Sequence, residues 1–327
     1  MLRAAQRVAP AVDVPALEAQ LAGLVGQQSL FPLDSALARV GREGALLLFG
    51  PRAALLQLAH PFVAQAIADH SRVLADLQAR FRRTMALMYR LTFAPPDEAL
   101  AIARALHARH AGVEGTLREG SARLPAGMPY RANEVEALFW VAATLWDTSV
   151  LFHDRVLGPL DAATREAYLA DARRFGRLFG IPEAIQPPSW PAFQDYMDRM
   201  LRGETLAVTG LARQLGRDLL TPRGGPQRRS SGGPGRSAPG CCPGLRVAFG
   251  LPYGLTERAL FATSIAALRR IVPRLPPAVR FAPAYQLARA RAGLGRPPGP
   301  ISRVAPRVAL WLTAGAGPLR APPPPPG

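Results

Sequence analysis

Residues 136–157 read EALFWVAATLWDTSVLFHDRVL. Wound at the helical period, their apolar side chains cover more than one face. A helix that is apolar nearly all round has to be surrounded by other helices. The spacing therefore predicts a central, largely buried helix over 133–157 in an all-α fold. Downstream, 161–179 and 190–219 carry helical periodicity, separated by the break GIPEAIQPPSWP. Upstream, Pro95-Pro96-Asp97-Glu98 pairs a breaker with negative charge in a first turn, which starts a helix running to about Arg118. Leu77, Phe81, Thr84, Met88 and Leu91 form one stripe of a helix over 76–92. Gly50-Pro51 opens another helix, and Pro61 kinks it or starts a new one. A short first helix is expected over 15–30, and helix-like periodicity returns over 247–292.

Composition agrees with this reading. The chain is 49% hydrophobic and 19% charged, and it is dominated by alanine, leucine and arginine, all good helix formers. Its net charge of +17 is unevenly spread. Residues 1–220 hold 24 basic and 22 acidic residues, against 16 and 1 in 221–327. A nearly neutral body with a basic C-terminal third does not read as a nucleic-acid groove. Residues 221–246 are rich in Pro, Gly, Ser and Arg and cannot form a core. Residues 293–327 end in APPPPPG and read as a disordered tail. The expected organisation is one helical domain over 15–292, with 221–246 as a loose insertion. Adjacent Cys241 and Cys242 read as incidental loop residues. The start of the chain shows no continuous apolar signal-peptide core, and ALLLFGPRAALLQLA is too broken to span a bilayer. A soluble, cytoplasmic protein without a transmembrane segment is the expectation.

Five histidines are the natural candidates for chemistry. Leu106, His110, Val113 and Leu117 are spaced 4, 3 and 4, which puts His110 on an inward face with His107 beside it. An imidazole there is either a satisfied core group or a ligand or general base. His60 precedes Pro61; His70 sits in Asp69-His70-Ser71, near a helix end; His153, beside Asp154 and Arg155, reads as near the surface. Arg80 and Thr84, four apart, share a face. They are either a snorkelling arginine and a self-bonded threonine or a polar pair reaching a buried ligand. There is no HExxH, GxSxG, Walker loop or GxGxxG after a strand, and no pair of Glu-x-x-His motifs of the di-iron kind.

Taken in order, GREGALLLFGPRAALLQLAHPFVAQAIADHS, RFRRT, HAGVEG and YRANEVEALFWVAATLWDTSV resemble the oxygenase MpaB / rubber oxygenase catalytic-domain family, which includes the latex clearing proteins. The resemblance covers 38–220 well and 250–292 more weakly. It implies an all-α, globin-like helical bundle that holds haem b, with its iron on a proximal histidine. The family pattern of a histidine followed by valine and glycine falls on His110, Val113 and Gly115, so His110 is the implied iron ligand. The family's arginine and threonine fall on Arg80 and Thr84, implied catalytic and cofactor-binding residues, and its AHP and DHS motifs on His60, Pro61, His70 and Ser71. Glu114 stands either near the ligand or on a solvated face. The implied partners are O2 and a small apolar substrate, unsaturated ones included. Two departures stand out. Arg83 occupies the place of a distal lysine in rubber-cleaving relatives, and Trp140-Val141-Ala142-Ala143-Thr144-Leu145 replaces a WVHATL pattern. A non-catalytic helical module that binds an apolar ligand or a protein is the alternative reading.

Overall fold

The computed structural model describes residues 12, 14–23, 30–70, 77–220, 243–251, 254–300, 302 and 304; the side chains at 14, 16, 20, 77–82 and 243 lie outside that description. The fold is all-α apart from one small hairpin. At its centre is α7 (Val135–Val156), and its buried residues, Leu138, Trp140, Ala143, Trp146, Val150 and Phe152 among them, lie around its circumference. Helix α7 is the one described helix long and apolar enough by itself to cross a membrane, and 67% of its apolar window is buried inside the protein. Helices α2 (Ala36–Gly41), α3 (Gly50–Leu58), α8 (Ala162–Arg177) and α12 (Leu255–Ile271) pack directly on it. The Trp140 indole donates to the Leu56 carbonyl at 3.0 Å. That satisfies the one polar atom of a large buried side chain while locking α7 to α3.

Short caps set the ends of these elements. The Ser35, Asp161 and Ser189 side chains accept backbone N–H groups at the starts of α2, α8 and α9 (Trp190–Arg202), each supplying an acceptor that a helix start lacks. Pro51 stands in the first turn of α3 as expected. Pro61 starts a new helix, α4 (Pro61–His70), and the chain turns by 102° there.

Three expectations are corrected. The helix expected to reach Arg118 is α6 (Pro96–Ala111), with Gly112 as its cap. Beyond it the chain forms β1 (Glu114–Thr116), paired antiparallel with β2 (Pro129–Arg131) inside the stretch expected to be loop. Val113 and Leu117 therefore do not extend a helical stripe; Leu117 is buried from the hairpin, beside Tyr130 and Phe62. The single helix expected over 190–219 is two, α9 and α10 (Gly210–Leu220), with an irregular segment after Gly203. The first helix is α1 (Val14–Ala22); residues 24–29 lie outside the description. The insertion expected over 221–246 lies outside it through residue 242, before α11 (Pro243–Ala248), as does most of the tail from 293.

The last helices, α13 (Pro277–Arg280) among them, fasten back onto the first ones. Glu43, 0% exposed, receives a two-pronged bond from Arg280 at 2.8 Å on each oxygen. Ala282 N–H donates to the Arg42 carbonyl at 2.7 Å, and the Arg42 guanidinium lies 4.7 Å from the Phe281 ring centroid. Helix α14 (Pro283–Arg291) then packs on α5 (Leu77–Phe93) through Phe93 and Tyr285.

Candidate functional site

Helix α6 ends in the two histidines. Ala99, Leu100 and Ala103 are its buried residues, and continuing their face by three and four residues arrives at His107 and His110. Both are half-buried. The His107 carbonyl accepts from the Asn133 amide at 3.2 Å, which joins the end of α6 to the start of α7. The His107 Nδ1 is buried without a hydrogen-bond partner. His110 sits in the last turn, where its carbonyl takes the N–H groups of Gly112 and Val113.

The hairpin that follows is fastened to α4. His70 Nε2 lies 3.0 Å from the Glu114 carbonyl; a carbonyl only accepts, so this nitrogen carries the proton and donates. One residue earlier, Asp69 accepts from Tyr130 Oη at 2.8 Å, from Arg118 at 2.6 Å and from Gln65 Nε2 at 3.0 Å. Gln65 Oε1 accepts the Arg118 backbone N–H at 3.2 Å. Burial, then the bond to Asp69, raises the Tyr130 phenol above its ordinary pKa. Asp69 and His70 thus hold the hairpin that follows His110, while Ser71 lies outside the described residues. Glu114 is exposed, the solvated alternative.

At the other end of α4, His60 is 3% exposed, edge-on to Phe62 with centroids 5.6 Å apart. Burial pushes its imidazole down to about 4, so the ring is neutral at neutral pH, and its Nδ1 has no hydrogen-bond partner. His60 and His70 stand ten residues apart along α4, roughly 15 Å at the rise of a helix. They cannot both touch one metal atom.

Helix α5 departs from expectation. Of the stripe's members with described side chains, Leu91 is buried, Met88 is half-buried and Thr84 is exposed, as is Arg83 beside it. Thr84 therefore does not face inward. The Arg80 side chain lies outside the described residues. Ala142 is buried on α7. No group of three or more His, Cys, Asp or Glu able to hold a metal occurs among the described residues, which leaves single imidazoles as the iron donors to consider. His153, expected near the surface, is half-buried and bonds the Gly158 carbonyl through Nδ1 at 2.8 Å.

Sequence reasoning missed a second buried polar cluster. Arg52, 5% exposed, donates to Thr148 Oγ1 at 2.7 Å and pairs with Asp147 at 2.6 Å. An arginine interrupting ALLLFGPRAALLQLA was the available signal. Beside Thr148 lies a mainly apolar cavity of about 110 Å³ between α2, α3, α5, α7 and α8. None of the four candidate site residues with described side chains, His60, His70, Thr84 and His110, lines it.

Comparison with known proteins gives the relatives. An uncharacterized protein of Mycobacterium bovis and one of Mycobacterium tuberculosis are each 29% identical to this chain over 153 residues, 46% of this chain and 57% of the relative. The matched part of the chain thus spans little more than half the length of these curated relatives. No solved structure matches. Residues 37–321 match the catalytic domain described as ER-bound oxygenase mpaB/B'/rubber oxygenase. That span takes in α2 through α14, with the paired histidines of α6 and the braced hairpin behind them, and the chain belongs to this oxygenase family.

Proposed function

We propose that the protein is a haem-b-dependent oxygenase that uses O2 on an apolar substrate, unsaturated ones included. The observation that carries the reading is His110, half-buried at the end of α6 inside the family match and followed at once by a hairpin braced by His70 and Asp69. The donor chemistry fits a haem. His107 and His60 each carry a buried ring nitrogen with no partner, and a buried polar atom left unpaired calls for an occupant. Haem b supplies oxygen activation at its iron, tuned by its axial ligand and by pocket polarity.

The protein's part is then divided among its own residues. His110 would hold the iron. His70 is a positioning residue, since its Nε2 proton is committed to the Glu114 carbonyl; it fixes the backbone just past His110. His60 would offer a neutral ring on an apolar wall. Arg80 and the exposed Thr84 would serve the haem's propionates, arginine being suited to carboxylates by its planar fork.

The test is spectroscopic. The purified protein supplied with haemin should show a Soret band that His110→Ala abolishes or shifts. An unchanged band in His110→Ala would end the ligand assignment. The second reading, a non-catalytic helical module, is favoured by Ala142 in place of a family-type histidine and by the absence of lysine from the chain. An iron-free, colourless protein from a haem-sufficient host would support it.

A further inference from the structure

The cavity between α2, α3, α5, α7 and α8 is lined by none of His60, His70, Thr84 and His110, and it is unusual in what surrounds it. Protein interiors are close-packed, and voids much larger than a water molecule are few. This one, about 110 Å³, approaches the roughly 150 Å³ apolar cavity known to take up benzene.

Three of its hydroxyl groups already donate to backbone carbonyls. Tyr89 donates to the Glu43 carbonyl, Thr92 to the Met88 carbonyl and Ser149 to the Leu145 carbonyl. Thr148 accepts from Arg52. What the wall offers a guest is therefore mostly carbon, which would not replace the water a charged guest gave up. The Trp146 indole N–H, also in the wall, has no acceptor among the described residues.

Gly41 supplies an independent observation. It is the last residue of α2 and lines the cavity. It is not among the glycines with positive φ, so the backbone does not require it. A Cβ built there would meet no atom within 4 Å, so packing does not require it either. Glycine in a helix is destabilising relative to alanine. Here its effect is to leave room. Across the space, Met85 and Met88 form a wall of flexible, polarisable side chains that adapt to a guest's shape.

We propose that this cavity is a binding site for a compact, uncharged hydrocarbon of about benzene's size, with Gly41 keeping it open. Binding does not depend on the oxygenase reading. If that reading holds, the guest lies on the helix that carries Arg80 and Thr84, since Met85 directly follows Thr84.

The experiment is equilibrium binding of benzene to the purified full chain, followed by the ligand's own NMR signal and by the rise in melting temperature, with benzoate as the charged counterpart. Neither readout requires iron in the protein, so the outcome is separate from that of the Soret test. Benzene should bind saturably and benzoate should not. Gly41→Leu should weaken benzene binding at least about tenfold while melting at or above the wild-type temperature. Ala53→Leu, on the facing wall, should do the same to binding and serves as the second variant. No saturable benzene binding to the wild type, benzoate binding as tightly as benzene, or wild-type affinity in both filled variants would overturn the proposal.

Discussion

Glu134 shows how one residue can record its environment in a pH profile. It caps α7, accepting from Ala137 N–H at 2.6 Å and Glu136 N–H at 3.2 Å. Burial nevertheless outweighs those bonds and pushes its carboxyl up from 4.5 to about 7. The folded state then holds a proton that the unfolded state gives up near 4.5, so stability falls as pH rises from 4.5 to 7. Over that window the loss comes to about 3 kcal/mol. His60, lowered by burial from 6.5 to about 4, works in the opposite sense, with stability lost as pH falls through that range. The prediction is therefore read as a difference. Urea midpoints of wild type minus Glu134→Gln should decline between pH 4.5 and 7, with the His60 contribution cancelling. A flat difference would refute the assigned shift. Neither group was legible as titrating abnormally from sequence, because burial of a single side chain depends on what packs over it.

At the scale of elements, the hairpin behind His110 depends on a close approach. A Cβ at Gly115 would come within 2.8 Å of the Tyr130 hydroxyl and 2.9 Å of its ring, and Tyr130 is itself held by Asp69. Gly115→Ala should destabilise the protein by about 1–3 kcal/mol and speed hydrogen exchange at Leu117 and Ala132, whose amides close the hairpin. Unchanged exchange at those amides would show that the ring gives way freely. Helix α7 was plain in the sequence because its apolar residues circle the axis over 22 residues. The end of α6 was not. Val113 and Leu117 fall at helical spacing from His110, and a strand of three residues is too short to show an alternation of its own. The turn-and-hairpin reading needed the partner strand, and that pairing is tertiary information.

A buried ion pair ties the last helices of the molecule to the first. Arg280 reaches Glu43 across 237 residues, and no local pattern announces it, since REGA and VRFA each look like ordinary surface text. Removing one member of such a pair strands the other without water. Arg280→Ala should cost about 3–5 kcal/mol, and Glu43→Gln in that background should recover part of it, measured by urea unfolding. Equal stability of the single and double variants would mean that Arg42, 3.7 Å from Glu43, had taken over the carboxylate.

The same ion pair sets an order of events at the ribosome. Chains grow at about 5–20 residues per second, so Glu43 emerges roughly 10–50 seconds before the arginine it needs. Burying the carboxylate before then would cost hydration that the arginine later replaces, so the close fit around Glu43 is expected only after the last helices have been made.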